Sequence, residues 1–168
     1  GRFPKDIEQL NALPGIGRST AGAILSLGLK QPASILDGNV KRILARHFLI
    51  DGDKNSTQTV NQLWEYASAL TPTNRHANYN QAMMDIGSLI CTRTQPKCSQ
   101  CPIIKTCQAY EHELQDQYPQ KKQKRTKRRK ETQYFLIILD QSADAILLQR
   151  RPEKGVWGGL WCFPAYDT

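Results

Sequence analysis

The sequence predicts a mainly α-helical domain, then a linker, then the start of a smaller α+β domain. Apolar residues at helical spacing, interrupted by glycine and proline turns, fill residues 5–90. Four cysteines follow within 91–107, and a charged stretch then leads to two short apolar runs. We therefore expect four segments: a helical core at 1–90, a cysteine loop at 91–110, a basic linker at 111–132 and a second domain at 133–168.

The helical core is expected to contain five helices. The first covers 5–12, where apolar residues recur every three positions. The second covers 19–27, with Ser19 or Thr20 as its cap and Gly28 after its end. The remaining helices are expected at 40–48, 57–70 and 75–89, separated by loops at 31–37 and 51–56 and by a break at Pro72. The last of them should deliver Cys91 at its end.

The second domain begins with a change of pattern from helical to extended. The run 134–139 is apolar throughout and suits a buried strand, and 145–150 is its expected hairpin partner across a turn at 141–144. Trp157 and Trp161 are interpreted as core residues, with a recognition surface as the alternative.

The net charge of +8 is concentrated in one short stretch. Residues 121–130 contain eight Lys and Arg residues, so the rest of the chain is formally neutral. Such a stretch can be an extended, solvated linker whose charges repel, and it can add phosphate contacts without sequence preference. No apolar run approaches the ~20 residues that cross a bilayer, so we expect no membrane partner.

Cysteine usage indicates a metal centre in a reducing compartment. The chain opens at Gly1 without a secretory signal and stops soon after an aromatic cluster, so we expect a segment of a longer cytoplasmic protein. Cys162 stands apart, while the other four cysteines form the pattern C-x6-C-x2-C-x5-C. Both zinc and an iron–sulfur cluster accept four thiolates, and the single close pair favours the cluster modestly. The expected ligands are Cys91, Cys98, Cys101 and Cys107.

The turn Pro14-Gly15-Ile16-Gly17 between two helices suits a phosphate. Gly15 and Gly17 allow close backbone approach, and the free amides and dipole of the next helix favour an anion. Arg18 could add an ionic contact. The alternative is an ordinary corner between two helices.

Asp37 precedes Gly-Asn at a helix start, which is typical of a cap or turn residue. The same position suits a catalytic carboxylate, because free amides and the helix dipole stabilise its charge. Lys41, one helical turn later, would also stabilise the charge of Asp37. The alternative is that Lys41 is an ordinary surface residue. An ionised carboxylate held in this way can stabilise positive charge that develops on a substrate.

Residues 13–21, with Asp37 about twenty residues after the hairpin, resemble the helix–hairpin–helix DNA glycosylase superfamily that includes endonuclease III and the MutY-type adenine glycosylases. The resemblance implies a helix–hairpin–helix glycosylase domain in which Asp37 and Asn39 are catalytic. It implies double-stranded DNA as the partner, bound by Gly15, Gly17, Arg18, Ser19 and Lys41. The four cysteines resemble the superfamily's [4Fe–4S] loop.

Several features resemble the adenine-specific branch. Ser19 stands where endonuclease III-like members carry a lysine that attacks the sugar, so the resemblance implies base removal without strand cleavage. Residues 133–168, with 157–164 as the distinctive stretch, resemble the start of the C-terminal Nudix-like domain, which in that branch helps to recognise 8-oxoguanine. The implied activity is removal of adenine mispaired with 8-oxoguanine or guanine, by a monomer at the bacterial nucleoid.

The branch's general acid is a glutamate that belongs to helices upstream of Gly1. The resemblance therefore implies that residues 1–168 alone are inactive. The alternatives are an endonuclease III-like glycosylase/lyase and, for this segment by itself, a non-catalytic DNA-binding module.

Overall fold

The computed structural model describes residues 2–120 and 132–166. The chain forms two compact units, Gly1–Gln123 and Lys124–Thr168. The basic run predicted at 121–130 lies outside the described residues. No helix in the described ranges is long and apolar enough to cross a bilayer.

The first unit begins with two short helices joined by the hairpin. Helix α1 (Ile7–Asn11) starts at Asp6, whose carboxylate accepts a hydrogen bond from the Gln9 amide at 2.8 Å. Helix α2 (Arg18–Ala23) continues as a π-helical turn (Ile24–Gly28). The predicted cap at Ser19 or Thr20 is wrong. Gly17 has extended dihedral angles (φ −90°, ψ 170°) and caps the helix, so Ser19 and Thr20 already lie in its first turn.

The remaining helices match the prediction closely. Helix α4 occupies the predicted residues, and Ser56 caps it by accepting from the Thr59 amide at 3.2 Å. Helix α5 continues as a π-helical turn that ends at Cys91, which confirms the predicted delivery of that cysteine. The elements that complete this unit are α3 (Gly38–His47), α4 (Thr57–Leu70), α5 (His76–Asp85) with its π turn (Ile86–Ile90), two 3-10 turns (Cys98–Gln100 and Ile104–Thr106) and α6 (Gln108–Glu111).

Helix α3 lies at the centre of the first unit. Its apolar face is almost fully buried and packs against α4, α5 and α6. Leu44 is 1% exposed and Leu63 of α4 is fully buried. Asp37 caps the N-terminus of α3, the preceding Leu36 is bonded to Ser19 of α2, and α3 contacts the π turn that leads to Cys91.

The second unit contains three separate antiparallel strand pairs. They are β1 (Tyr134–Phe135) with β6 (Ala165–Tyr166), β2 (Leu139–Asp140) with β3 (Ala145–Ile146), and β4 (Gln149–Arg150) with β5 (Trp161–Cys162). The predicted hairpin is confirmed between β2 and β3, where Leu139 pairs with Ile146.

Two expectations for this unit are wrong. The run 134–139 does not form one buried strand, since Ile137 is 64% exposed. Trp157 and Trp161 are not core residues, being 70% and 65% exposed. Strands of two residues in two-stranded sheets have no second layer to bury such side chains.

Candidate catalytic site and cysteine cavity

The hairpin before α2 presents open backbone. Gly15 has φ +81°, a left-handed conformation that a side chain would strain, and space is open where its side chain would stand. Gly15, Gly17 and Arg18 are all exposed. The first-turn amides of α2 are therefore accessible to an anion, as the sequence predicts.

Arg18 has a protein partner as well as an exposed position. Its guanidinium lies 4.0 Å from the centroid of the Trp64 ring, so it forms a cation–π contact with α4. The contact between Arg18 and a phosphate remains a prediction. The Trp64 ring already orients the side chain that would make it.

Ser19 connects the hairpin helix to the segment that precedes Asp37. Its hydroxyl oxygen accepts a hydrogen bond from the Leu36 amide at 3.1 Å. Leu36 is buried, so this bond holds the strand-like approach to α3 against α2. Ser19 thus contributes to placing the segment that leads to Asp37.

Asn80 makes a second polar contact to the segment that precedes Asp37. Asn80 donates to the Ala33 carbonyl at 2.8 Å and to the Ser26 hydroxyl at 2.8 Å, while Ser26 also contacts His76 Nδ1 at 3.1 Å. All three side chains are buried. Sequence reasoning missed this network, because its members are about fifty residues apart along the chain.

Asp37 caps α3, and its partly buried carboxylate accepts hydrogen bonds from three donors. Its Oδ1 accepts from the Asn39 amide at 3.0 Å and the Val40 amide at 2.8 Å. Its Oδ2 accepts from the Asn39 side-chain amide at 3.1 Å. The structural role and the catalytic hypothesis are therefore compatible, since these bonds orient a carboxylate that keeps lone pairs of Oδ2 available.

Asn39 and Arg42 extend this network to the cysteine loop. Arg42 Nη2 donates to Asn39 Oδ1 at 2.9 Å and to the Gly87 carbonyl at 2.5 Å, and Nε donates to the Cys91 carbonyl at 2.6 Å. Burial lowers the pKa of Arg42, while the negative charges of Cys91 and Asp37 oppose that shift. Sequence reasoning missed Arg42. Its position three residues after Asn39, on the same helix face, is the signal that could have found it.

Gly87 allows the approach of α3 to the end of α5. A methyl group at this position would lie 2.5 Å from Asn39 Cβ and 3.1 Å from its Cα. Ordinary carbon contacts are about 3.5–4.0 Å. Only glycine therefore fits against Asn39 in this arrangement.

Lys41 has its side chain available. Its backbone amide donates to the Asp37 carbonyl at 2.9 Å in the first helical turn. Within residues 2–120 and 132–166 its ammonium makes no hydrogen bond or ion pair. A free cation one turn from Asp37 fits the predicted DNA contact.

The structure brings the four clustered cysteines to one cavity. Cys91 ends the π turn after α5, Cys98 and Cys101 flank a 3-10 turn, and Cys107 caps α6. All four are free thiols, partly buried, and line one cavity with a volume of about 30 Å³. Cys162 is also free and belongs to the second unit.

Arg46 places a buried positive charge at this cavity. It is 3% exposed, and its Nη1 donates to Cys91 Sγ at 3.3 Å and to the Thr92 carbonyl at 2.7 Å. Its Nε donates to the Tyr118 carbonyl at 2.9 Å. Arg46 follows Arg42 by one turn, and sequence reasoning missed it because an arginine in a helix is most often a surface residue.

Four partly buried thiols around one cavity are a donor set that either a zinc ion or an iron–sulfur cluster could use. Among the described residues no group of three or more His, Cys, Asp or Glu side chains stands close enough to hold one metal ion. Burial and neighbouring cysteines raise the pKa of Cys98 and Cys101. Both thiols therefore favour their neutral form, and a bound cation would oppose that shift by stabilising the thiolates.

Two family descriptions match parts of the chain. The helix-hairpin-helix motif matches residues 1–27, and the NUDIX domain matches residues 134–168. The first match contains the hairpin and α2, and the second contains all six strands.

Curated relatives are named adenine DNA glycosylase. The protein of Buchnera aphidicola from Schizaphis graminum is 43% identical over 167 residues, covering 99% of this chain and 47% of its own length. The proteins of Schizosaccharomyces pombe and Homo sapiens are 32% and 31% identical, covering 95% and 98% of this chain and 43% and 38% of their own lengths. The chain thus spans about half the length of the first of these relatives.

Solved structures support the helical fold. A thermostable thymine-DNA glycosylase aligns with TM-score 0.59 and 33% identity, covering 67% of this chain and 51% of its own. A non-covalent endonuclease III–DNA complex aligns with TM-score 0.54 and 26% identity, covering 68% of this chain and 51% of its own.

Proposed function

We propose that this chain, which is homologous to the adenine DNA glycosylases over nearly its whole length, carries the sugar-facing part of a base-excision site. The proposed reaction is hydrolysis of the N-glycosidic bond of a mispaired adenine in double-stranded DNA. The observation that carries the proposal is Asp37, held by Asn39 at the start of a helix that is tied to both the hairpin and the cysteine loop.

The proposed mechanism uses Asp37 as the group that responds to developing positive charge. As the bond to adenine lengthens, the sugar gains oxocarbenium character, and an oriented carboxylate oxygen stabilises that charge or bonds to the sugar carbon transiently. Asn39 holds Oδ2 by its Nδ2–H donor at 3.1 Å and would position the sugar. Water then replaces the base at the sugar carbon, and a proton must reach the departing adenine.

We assign that proton to a glutamate outside residues 1–168, following the family resemblance. Adenine leaves poorly as an anion, so its protonation contributes strongly to the rate. Residues 1–168 alone should consequently bind DNA without releasing adenine at a normal rate.

We propose a monofunctional reaction because residue 19 is a serine whose hydroxyl oxygen accepts the Leu36 amide. An endonuclease III-like lyase is the rival, and it forms a Schiff base between an amine and the sugar. Borohydride traps such an intermediate as a stable protein–DNA adduct. No adduct is expected here, and a strong adduct would favour the lyase.

The proposed DNA contacts are non-specific. The exposed backbone at Gly15 and Gly17 would bind a phosphate, with Arg18 supplying positive charge beside it and Lys41 supplying positive charge one turn after Asp37. Extruding the target adenine from the stack costs a few kcal/mol, which such phosphate contacts offset. We propose that the mispair partner is 8-oxoguanine or guanine, that the NUDIX-like unit reads it, and that the enzyme acts as a cytoplasmic, nucleoid-bound monomer in a bacterium.

We propose that a [4Fe–4S] cluster is held by Cys91, Cys98, Cys101 and Cys107. When bound, such a group supplies a rigid cross-link for a loop that buries little apolar surface of its own. Arg46 stabilises the thiolate charge there, since its Nη1 donates to Cys91 Sγ. The absorption band near 400 nm and about four iron atoms per chain are the expected signature, and tightly held zinc without iron would contradict it.

The catalytic assignment is tested by Asp37→Asn in the complete enzyme, on a duplex with adenine opposite 8-oxoguanine. The amide keeps the size of the side chain and removes its charge, so we expect excision to fall by at least a factor of about 10³, of the order that follows loss of a charged catalytic group. DNA binding should remain within about threefold. The matched control is Asp116→Asn, since Asp116 is exposed and outside the site. Unchanged excision by Asp37→Asn would leave Asp37 a structural cap only.

A further inference from the structure

The cysteine cavity contains one polar atom without a partner. Gln115 Oε1 is buried, and it accepts no hydrogen bond from the residues that the structure describes. The Gln115 side chain lines the same cavity as the four cysteines and Arg46. Buried polar atoms almost always have hydrogen-bond partners, so this exception calls for an explanation such as a water, an ion or another bound group in the cavity.

The chemistry of that cavity decides which end of the amide should face it. Cysteine thiolates and cluster sulfides carry negative charge and accept hydrogen bonds, so a carbonyl oxygen is repelled there while an N–H donor is attracted. Half a turn about the last side-chain bond of glutamine exchanges oxygen and nitrogen at little cost, because this torsion is broad and nearly two-fold. The cavity therefore selects Nε2 of Gln115 once anionic sulfur is present.

On the premise of the cluster proposed above, we propose that Gln115 donates an N–H···S hydrogen bond to it and thereby tunes its reduction potential. Arg46 already donates to Cys91 Sγ at 3.3 Å, and Gln115 is a further donor on the wall of the same cavity. Of the other lining residues, Ile90 and Ile104 donate nothing from their side chains, and the exposed Tyr110 carries a phenol hydroxyl. Gln115 is thus a positioning residue for the cluster and touches neither DNA nor sugar.

The electrostatic consequence has a definite sign. A reduced cluster carries one more negative charge than an oxidised one, so donors to its sulfurs stabilise the reduced form and raise the reduction potential. Removing one donor should lower the potential. A tenfold change in the one-electron equilibrium constant corresponds to about 59 mV, which is the shift expected from one such bond.

The test compares the iron-loaded complete protein with Gln115→Leu, Gln115→Glu and the control Gln117→Leu. Gln117 lies two residues away and is exposed, so its variant makes the same chemical change away from the cavity. Iron content and the absorption band are measured first, and voltammetry then gives the midpoint potential. We expect both Gln115 variants to lower the potential and Gln117→Leu to leave it unchanged.

The outcomes separate this proposal from the cluster proposal. A wild-type protein without iron overturns both. A wild-type protein with a full cluster, and a Gln115→Leu variant with the same potential, overturns only the role of Gln115. Glutamate at position 115 lacks the N–H donor and adds negative charge, so Gln115→Glu must also lower the reduction potential. If Gln115→Leu lowers the potential but Gln115→Glu leaves it unchanged or raises it, the role of Gln115 is overturned as well. If the Gln115→Leu variant does not retain its cluster, the midpoint potential is measured in Gln115→Glu, whose side chain keeps the shape of glutamine.

Discussion

Gly87→Ala should impair excision although residue 87 approaches neither the DNA nor the sugar in the proposed mechanism. The new methyl carbon would lie 2.5 Å from Asn39 Cβ and within 3.2 Å of its backbone. Since carbon contacts relax to about 3.5 Å or more, α3 and the end of α5 must separate by about 1 Å at this point. The atom that moves belongs to Asn39, which orients Oδ2 of Asp37.

The magnitude follows from the size of that displacement. A misplacement of about 1 Å in a catalytic constellation can cost about 10²-fold in rate. Overpacking of this kind also costs about 1–3 kcal/mol of stability. We therefore expect single-turnover adenine release to fall about 100-fold, with a decrease of about 1–3 kcal/mol in the free energy of unfolding.

The assay is single-turnover excision with the enzyme in excess, paired with a binding titration and urea unfolding. Gly28→Ala is the matched control, because a methyl group there meets nothing within 4 Å. Its rate should stay within about twofold of the wild type. Wild-type excision by Gly87→Ala, or an equal loss in Gly28→Ala, would refute the packing argument.

Three further predictions concern other contacts. Arg42→Lys keeps the charge but cannot bond Asn39, Gly87 and Cys91 together, so urea unfolding should show a loss of about 2–4 kcal/mol and excision should decrease. Trp64→Leu removes the ring that orients Arg18, and equilibrium titration should show weaker DNA binding by a factor of about 2–10. Burial lowers the pKa of His47 from its ordinary 6.5, so the folded state binds fewer protons and loses stability as the pH falls below 6.5. Unfolding of His47→Gln between pH 5 and 8 should show a flatter dependence.

Local patterns predicted most of the helical unit. The residues of α4 carry a clear cap at Ser56 and a break soon after Leu70, and both ends were predicted to the residue. The start of α2 was less predictable, because Gly17, Ser19 and Thr20 can all cap a helix and only tertiary contacts choose between them. Ser19 is drawn into the helix by its bond to Leu36, seventeen residues later.

The long-range partners could not be read from local pattern. Arg42 and Arg46 look like solvent-facing charges, yet their acceptors lie 45–49 residues further along the chain. Apolar runs in the second unit likewise say which residues favour strands, but not whether a second layer covers them. Ile137 and Trp157 remain exposed for that reason.

Helix α3 connects the predicted catalytic carboxylate of Asp37 to the predicted metal ligand Cys91. Asn39, Arg42 and Arg46 recur at intervals of three and four, so they share one face of the helix. On that face Asn39 Nδ2 donates to the Asp37 carboxylate at 3.1 Å, and Arg42 Nε donates to the Cys91 carbonyl at 2.6 Å. A loop that lost the proposed cross-link would loosen the Cys91 carbonyl, which Arg42 Nε binds, and Arg42 would then hold Asn39 less firmly. The cysteines can therefore matter for excision without any electron moving, because a rigid loop keeps one carboxylate oxygen in place.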